Sequence, residues 1–312
     1  MEVDGHLEKQ LAPSVCTVGF FDGLHKGHQA LISKAVSIAK ESGMAASMIT
    51  FSPSPKAFLT KTPEQLLTTV SERAKVAKDL GIEQFIVLKF NKELSSLSPD
   101  QFHELFINSL NIKHVVCGED FRYGHKGAGS VITLQKDPRI KVSVINDVIE
   151  DDERISSTLI KEGLTNGDID MVTKALNKPY SIDGFVKHGR KVGRTIGFPT
   201  VNLSYPYNKI LIKDGVYTGI TTVKGKHYIS TINVGHNPTV NHMSKKSIES
   251  FIHHFDEDIY NEAVTFKFVK RLRDEQKFDS VEALIEQMHR DIANSEAYFS
   301  PDVRKEYDIE AL

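Results

Sequence analysis

Two histidines and three glycines lie close together near the start of the chain, in residues 19–28. An apolar run at residues 15–18 precedes them, and residues 28–40 have the apolar spacing of an amphipathic helix. The segment is therefore predicted to form a strand-to-helix turn, where free N–H groups and the helix dipole favour a phosphate. Glycines allow close backbone approach, and the imidazoles of His25 and His28 can donate hydrogen bonds to phosphoryl oxygens.

A second polar cluster is formed by Ser156, Ser157 and Thr158, with Lys161 three residues further on. Two interpretations stay open for it. Consecutive hydroxyls can serve simply as the N-cap and first turn of a helix. They can also hold phosphate oxygens, with Lys161 supplying positive charge.

Apolar strand-like runs alternate with helical patterns through the first half of the chain. Strands are predicted at residues 15–18, 45–51, 85–88, 114–117 and 142–145, and helices at 28–40, 71–80 (capped by Ser71), 99–110 and 168–176, with a loop at 53–55. This alternation predicts an α/β fold with a doubly wound parallel sheet. Ligands bind such sheets beyond the carboxyl ends of the strands, where residues 19–28 and 118–124 both stand.

Strand-like alternation dominates from about residue 181, so the chain is predicted to have two domains, 1–180 and 181–312. Many short strands and one terminal helix favour a small antiparallel β-barrel, closed or of Greek-key type, with a C-terminal helix. That helix carries an apolar stripe at helical spacing, which we expect to be core packing against the barrel. The stripe comprises Val281, Leu284, Ile285, Met288 and Ile292.

The start of the second domain combines glycines with two neutral oxygen donors. Gly189, Gly193 and Gly197 would let a loop close over phosphates. Thr200 and Asn202 are two residues apart, so on a strand they face the same way. Taken alone, such a pair is usually two polar strand residues after a Gly/Pro turn. Beside phosphates, two neutral oxygen ligands would suit Mg²⁺, which keeps several of its waters.

The motifs resemble those of known families. The His-x-Gly-His spacing at residues 25–28 and the later Ser-Ser-Thr run resemble the two signatures of the nucleotidyltransferase superfamily. Residues 193–203 resemble the Gly-Arg-x-x-Gly-Phe-Pro-Thr-x-Asn signature of riboflavin kinase. Together the two halves resemble the bifunctional bacterial FAD synthetases, an FMN adenylyltransferase module followed by a riboflavin kinase module. The resemblance extends from about residue 15 to residue 291.

The resemblance implies two sequential reactions. ATP phosphorylates riboflavin to FMN, and a second ATP then adenylylates FMN to FAD with release of pyrophosphate. In the first module it implies that His25 and His28 stabilise charge on the triphosphate. The other implied ATP-binding positions of this module are Gly19, Phe20, Asp22, Gly23, Asp120, Ser156, Ser157, Thr158 and Lys161.

In the second module the resemblance makes Glu249 the general base for the ribityl 5′-hydroxyl. It assigns the flavin to Arg273 and Asn233, although Arg271 is a near neighbour of the same type. It implies that Thr200 and Asn202 bind Mg²⁺. It implies that ATP is bound by Gly189, Gly193, Arg194, Gly197, Thr200 and Asn202.

Three positions of the first module depart from the family pattern. Phe20 stands where Asn is usual, Ser54 replaces the histidine of a Pro-His-Pro run, and Lys161 replaces an arginine. Lys161 keeps the charge but loses bidentate geometry. An alternative therefore stays open: a monofunctional riboflavin kinase whose N-terminal domain is impaired or regulatory.

The composition argues against several other function classes. The net charge of −2 gives no electrostatic case for nucleic acid or an acidic membrane, which disfavours a flavin-binding or RNA-binding regulator. Cys16 and Cys117 are the only cysteines, and each lies in an apolar run, so buried thiols in a reducing compartment are expected. The polar residues 1–10 do not resemble a signal peptide. We expect a cytoplasmic enzyme with small-molecule substrates and leave self-association open.

Overall fold

The computed structural model describes residues 2–3, 11–189, 193, 196–236 and 246–309. The chain divides into two compact units, Met1–Ser157 and Thr158–Leu312.

A parallel sheet forms the centre of the first unit. The strands of this unit are β1 (Glu2–Val3), β2 (Ser14–Val18), β3 (Ala45–Ser52), β4 (Gln84–Lys89), β5 (Ile112–Gly118), β6 (Arg122–Tyr123), β7 (Gly129–Ser130), β8 (Lys141–Ile145), β9 (Ile149–Glu150) and β10 (Glu153–Arg154). The sheet has the order β1-β4-β3-β2-β5-β8, and β6–β7 and β9–β10 are short antiparallel pairs. The strand order reverses at β2, so the predicted doubly wound sheet is confirmed and its switch point lies after Val18.

Helices cover both faces of this sheet. They are α1 (Lys26–Ser42), α2 (Pro55–Thr60), α3 (Val70–Asp79), α4 (Lys92–Ser96), α5 (Pro99–Glu104) and α6 (Val131–Gln135), with a π-helix at Leu105–Ser109 and a 3₁₀ turn at His125–Gly127. Neighbouring residues of β2 serve opposite faces: Val15 packs in the cluster under α1, and Cys16 packs in the cluster under α5. Both cysteines are free and buried as expected, and burial raises the pKa of Cys16 to about 12.

Three local predictions for the first unit are wrong in detail. The 53–55 segment is not all loop, because Pro55 occupies the first turn of α2 and Ser54 caps it. The cap of α3 is Thr69 rather than Ser71, in a reciprocal capping box with Glu72. The helix predicted over 99–110 changes to a π-helix at Leu105. The buried residues of this segment are spaced four apart, and the wider turn of the π-helix keeps them on one face.

A buried polar network joins α5 to the β6 strand. His103 bonds through Nε2 to the Tyr123 hydroxyl at 2.6 Å and through Nδ1 to Asp137 at 3.1 Å. Tyr123 also contacts Thr133 Oγ1 at 3.2 Å. A hydrogen bond from Arg139 lowers the pKa of the Asp137 carboxyl. Buried polar atoms are therefore satisfied beside the loop that follows β5.

A closed antiparallel barrel forms the second unit, as predicted. Its strands are β11 (Tyr180–Lys187), β12 (Val201–Ser204), β13 (Gly215–Val223), β14 (Lys226–His236), β15 (Lys246–Ile252) and β16 (Ala263–Arg273), in the order β11-β12-β15-β14-β13-β16. Its helices are α7 (Ser157–Asn166, which begins at the last residue of the first unit), α8 (Ile169–Leu176), α9 (Val281–Tyr298) and α10 (Pro301–Glu306).

Polar contacts attach α9 to the barrel. Ser295 and Thr231 share a hydrogen bond at 2.9 Å, and Glu296 accepts from the buried His253 at 3.3 Å. The α8 helix packs against β11 and β16. Within the described part of the chain, no helix is long and apolar enough to cross a bilayer.

The His103 network predicts a measurable stability pattern. Tyr123→Phe leaves His103 Nε2 buried without its partner, so we expect it to destabilise the first unit by about 1–3 kcal/mol. The double variant H103L/Y123F removes both polar groups and should cost less than Y123F alone. Because two units need not unfold together, hydrogen exchange at the amides of β5 is the appropriate measurement. A double variant less stable than Y123F would contradict this account.

Candidate active sites

The turn after β2 has an unusual backbone. Phe21, Gly23 and Leu24 have φ angles of 55°, 88° and 49°, and His25 follows as the N-cap of α1. Only Gly23 takes up this left-handed conformation readily. Phe21 and Leu24 are fully buried, so their packing holds the strained backbone. His25 makes no side-chain capping bond, which leaves the first N–H groups of α1 for a ligand.

The two predicted histidines are brought into direct contact. The rings of His25 and His28 are stacked with centroids 3.7 Å apart, and the Phe21 and His28 rings form a T-shaped pair with centroids 5.0 Å apart. Burial lowers the pKa of His25 from 6.5 to about 4, and the positive charge of Arg154 adds to this effect. Burial, His25 and Arg73 lower the pKa of His28 well below its usual value. Both rings are therefore neutral near pH 7, and each has one N–H group that can donate a hydrogen bond.

Asp22 holds the turn together from its other side. Its Oδ1 accepts hydrogen bonds from the backbone N–H of Thr68 at 3.0 Å and from the Thr68 hydroxyl at 3.3 Å. The Gly23 N–H donates to the Thr68 hydroxyl at 2.9 Å, and Ser157 Oγ donates to the Asp22 carbonyl at 2.7 Å. Ser157 is thus beside the turn, while Ser156 precedes α7 and Thr158 and Lys161 lie on it.

Three further predicted positions have defined surroundings. Gly19 donates its N–H to the Ile49 carbonyl, and the Phe20 carbonyl accepts from the buried Arg73. Asp120 is exposed after β5 and bonds Arg154 at 2.6 Å. Sequence reasoning missed Arg73, Thr68 and Arg154. Of these three residues, only Arg154 has a local signal in the sequence, which is its position immediately before the Ile-Ser-Ser-Thr run.

A single row across neighbouring strands carries the candidate residues of the barrel. In the strand register, Asn202 of β12 is opposite Glu249 of β15, and Glu249 is opposite Asn233 of β14. Thr200 stands just before β12, where its hydroxyl donates to Glu249 Oε2 at 3.3 Å. The row continues through Val216 to Arg273. Residues distant in sequence are thereby aligned by β pairing alone.

Two cavities meet at Thr200. One, of about 300 Å³, is lined by Gly189, Thr200, Asn202, Asp256 and Tyr260 among others. The other, of about 320 Å³, is lined on its polar side by Thr200, Glu249, Asn233 and Arg273. Thr200 and Asn202 thus face one cavity, as predicted, although Thr200 precedes the strand instead of lying on it.

Most of the apolar stripe of α9 is not core packing. Leu284, Met288 and Ile292 line the second cavity together with Val216 and Phe251 of the strands, and Val281 is 53% exposed. The expectation for this stripe was therefore wrong, because helical spacing shows which residues share a face and not what covers them. Apolar side chains in the same cavity as Glu249 fit an aromatic ring system.

Arg273, and not Arg271, reaches this cavity. The Arg273 guanidinium makes a two-pronged ion pair with Asp291 of α9, with N–O distances of 2.7–3.1 Å. Asp291 is 3% exposed, so the pair is held away from solvent. Arg271 instead donates to the Tyr217 hydroxyl and the Asp214 carbonyl. Arg273 therefore connects the end of β16 to the helix that walls the cavity.

The glycine loop has two positions where a side chain is excluded. A Cβ at Gly189 would clash with the Asn202 amide, and a Cβ at Gly193 would clash with the Phe198 carbonyl oxygen. Gly193 lines the second cavity, and Gly197 has a φ of 89°. Arg194 lies outside the described residues.

The donor set at Thr200 and Asn202 suits a hard cation that is partly held by substrate. Asn202 is 8% exposed and lines the first cavity beside Thr200. Among the residues that the structure describes, no group of three or more histidine, cysteine or acidic side chains could hold a metal by itself. Mg²⁺ binds through one or two protein oxygens with waters and phosphates, so the residues present fit that ion.

Comparison with known proteins identifies both halves. Residues 7–159 match the family model described as FAD synthetase, and residues 176–299 match the one described as riboflavin kinase.

Whole-chain relatives have the same arrangement. The chain is 37% identical to the bifunctional riboflavin kinase/FMN adenylyltransferase of Bacillus subtilis, over 94% of this chain and 95% of the relative. It is 36% identical to that of Listeria monocytogenes, over 92% of each. A crystal structure described as a macrolide-efflux protein from Streptococcus pneumoniae matches with a TM-score of 0.86 and 30% identity, over 95% of this chain and 98% of that one. The chain belongs to the bifunctional riboflavin kinase/FMN adenylyltransferase family.

Proposed function

We propose that this chain converts riboflavin to FMN in its barrel and FMN to FAD in its parallel-sheet domain, using one ATP in each reaction. The observation that carries the proposal is Thr200, which lines two cavities and donates to Glu249 where they meet. A phosphoryl donor in one cavity and a flavin in the other would be joined there. The matches to both family models support the second reaction alongside the first.

In the kinase reaction the ribityl 5′-oxygen attacks the γ-phosphorus of ATP. The new P–O bond forms as the bond to the β,γ-bridging oxygen breaks, and ADP leaves. Glu249 accepts the hydroxyl proton, with Asn202 and Asn233 as its neutral neighbours across the strands. Gly189, Gly193, Arg194, Gly197, Thr200 and Asn202 are the proposed ATP contacts, and Asn233 and Arg273 those of the flavin.

In the adenylyl transfer a phosphate oxygen of FMN attacks the α-phosphorus of ATP. The bond to the α,β-bridging oxygen breaks, and pyrophosphate leaves. Neutral His25 and His28 donate hydrogen bonds to the triphosphate, beside the free N–H groups of α1. Asp22 and Ser157 hold the turn, and Asp120 is proposed for the nucleoside side. The roles of Ser156, Thr158 and Lys161 are proposed from the motif alone.

Mg²⁺ is the proposed metal ion of the kinase site, with Thr200 and Asn202 as protein ligands. When bound, it would neutralise phosphate charge. We propose further that the enzyme is cytoplasmic, acts on small molecules, and divides functionally near residue 180. Of the two readings left open, the bifunctional one is favoured because the first half matches the FAD synthetase model despite Phe20, Ser54 and Lys161.

The two sites can be separated by reciprocal variants. Glu249→Gln should lower FMN formation from riboflavin by about 100-fold or more, because it removes the proton acceptor. His28→Asn should lower FAD formation from FMN by about 100-fold, because it removes a donor to the developing charge. Each variant should keep the other reaction, as measured by chromatography of flavins after incubation with ATP and Mg²⁺. Loss of both reactions in either variant, with unchanged melting, would contradict the assignment to separate sites.

The proposed metal ligands predict a shift in magnesium dependence. Asn202→Ala should raise the Mg²⁺ concentration for half-maximal riboflavin phosphorylation by about tenfold, as expected for a weakened metal environment. The Mg²⁺ titration of FAD formation from FMN in the same protein is the internal control. An unchanged titration of the kinase reaction would remove Asn202 from the metal site.

Burial of His25 predicts a contribution to acid lability. Its folded-state pKa of about 4 lies below the ordinary 6.5, so the unfolded chain binds more protons between these values. Stability should therefore fall as pH drops from 6.5 towards 4, and His25→Asn should reduce that loss. Calorimetry at pH values across this window measures it, with His125→Asn, an exposed histidine of the same unit, as control. An equal acid shift in wild type and H25N would contradict the prediction.

A further inference from the structure

Arg73 is buried in a place where a charge is costly. It lies on α3, is 1% exposed, and ranks first by size among the fully buried side chains. A guanidinium stays protonated in proteins, so burying one costs several kcal/mol unless its donors are well used. Neither the signatures in the sequence nor the proposed chemistry assigns it a role.

The hydrogen bonds of Arg73 converge on the turn that carries the histidines. Its Nη1 donates to the Phe20 carbonyl and to Thr50 Oγ1, both at 2.6 Å. The Thr50 hydroxyl donates to the same Phe20 carbonyl at 2.9 Å. The oxygen of residue 20 is thus held from two directions, by α3 and by the end of β3.

The side chain of Phe20 joins the same assembly. The Arg73 guanidinium carbon lies 4.6 Å from the centre of the Phe20 ring, within the range of a cation–π contact. Residue 20 is therefore fixed through both its carbonyl and its ring. The residues that follow it directly are Phe21, whose ring meets His28, and Asp22, which bonds Thr68.

The charge of Arg73 also reaches the catalytic pair. It helps to lower the pKa of His28, while Asp22 and Glu72 are the acids whose charges act on Arg73 itself. His25 feels Asp22 and Arg154. A buried cation behind the neutral imidazoles adds positive potential at the end of the sheet where phosphates are proposed to bind.

We propose that Arg73 is a positioning residue of the adenylyltransferase site, holding residue 20 and through it the turn that presents His25 and His28. The inference rests on the proposed FAD-forming reaction and deepens it. This proposal also gives Phe20 a different role from the ATP contact that the motif implies. Arg73 holds the turn through the carbonyl and the ring of Phe20.

The test uses the full-length protein with FMN, ATP and Mg²⁺. Arg73→Met should lower kcat for FAD formation by about 100-fold, since small displacements of reacting groups cost rates of that order. The KM values for ATP and FMN should change much less, and riboflavin phosphorylation by the same protein should be unchanged. Arg73→Lys should recover at least about a tenth of wild-type kcat, because an ammonium can still donate to the carbonyl. Lys75→Met, an exposed charge on the same helix, should match wild type.

A second variant guards against misfolding of R73M. Thr50→Val removes one of the two donors to the Phe20 carbonyl, and we expect it to lower kcat for FAD formation by several-fold with β2 and β3 amides still protected from exchange. Wild-type kcat in R73M, or in both R73K and T50V if R73M does not fold, would overturn the inference. So would an R73K protein as inactive as R73M. Failure of wild type to make FAD would instead overturn the proposed function.

Discussion

The stacking of the buried His25 imidazole on the half-buried His28 imidazole is the arrangement on which the first unit depends. Two imidazolium cations with ring centroids 3.7 Å apart would repel each other strongly, and burial disfavours a charge on either ring, so both rings are kept neutral. Burial does this, but it requires a turn that packs against the sheet instead of opening to solvent. The positive φ angles of Phe21 and Leu24 are the backbone consequence, and their buried side chains compensate for the strain. The position of the two rings, their protonation state and the backbone conformation of the turn therefore depend on one another.

The barrel positions its candidate residues by strand register, and none of Asn202, Glu249 and Asn233 has a positive φ angle. Its candidate residues lie in one row, because antiparallel register places Asn202, Glu249 and Asn233 side by side. The strands contribute Val216 and Phe251 to the apolar lining of the second cavity, and α9 adds Leu284, Met288 and Ile292. The ion pair of Arg273 with the buried Asp291 ties α9 to the end of β16. A bidentate guanidinium–carboxylate pair has a defined geometry, so it sets the distance between helix and strand.

Local patterns in the sequence predicted the parallel sheet, the closed barrel and the turn before α1. They did so because strand alternation, helix spacing and glycine placement reflect short-range constraints. They did not predict Arg73, whose partners Phe20 and Thr50 are distant in the chain, since no local pattern distinguishes a buried arginine from an exposed one. The α9 stripe failed for a related reason. Apolar spacing identifies a covered face, but whether a side chain or a substrate covers it depends on tertiary structure.

The departures of this chain from the family pattern have structural explanations at two positions. At residue 20 Arg73 holds the backbone carbonyl, which any residue at this position would supply. The Phe20 ring adds a surface on which the Arg73 guanidinium packs. At residue 54 the serine caps α2 and donates to Glu64 at 2.6 Å, so the segment keeps its helix although an imidazole is missing. A motif defined by side chains therefore underestimates how much of the turn geometry this chain retains. The turn geometry depends on backbone groups and buried contacts, and these tolerate replacement of the residues by which the motif is recognised.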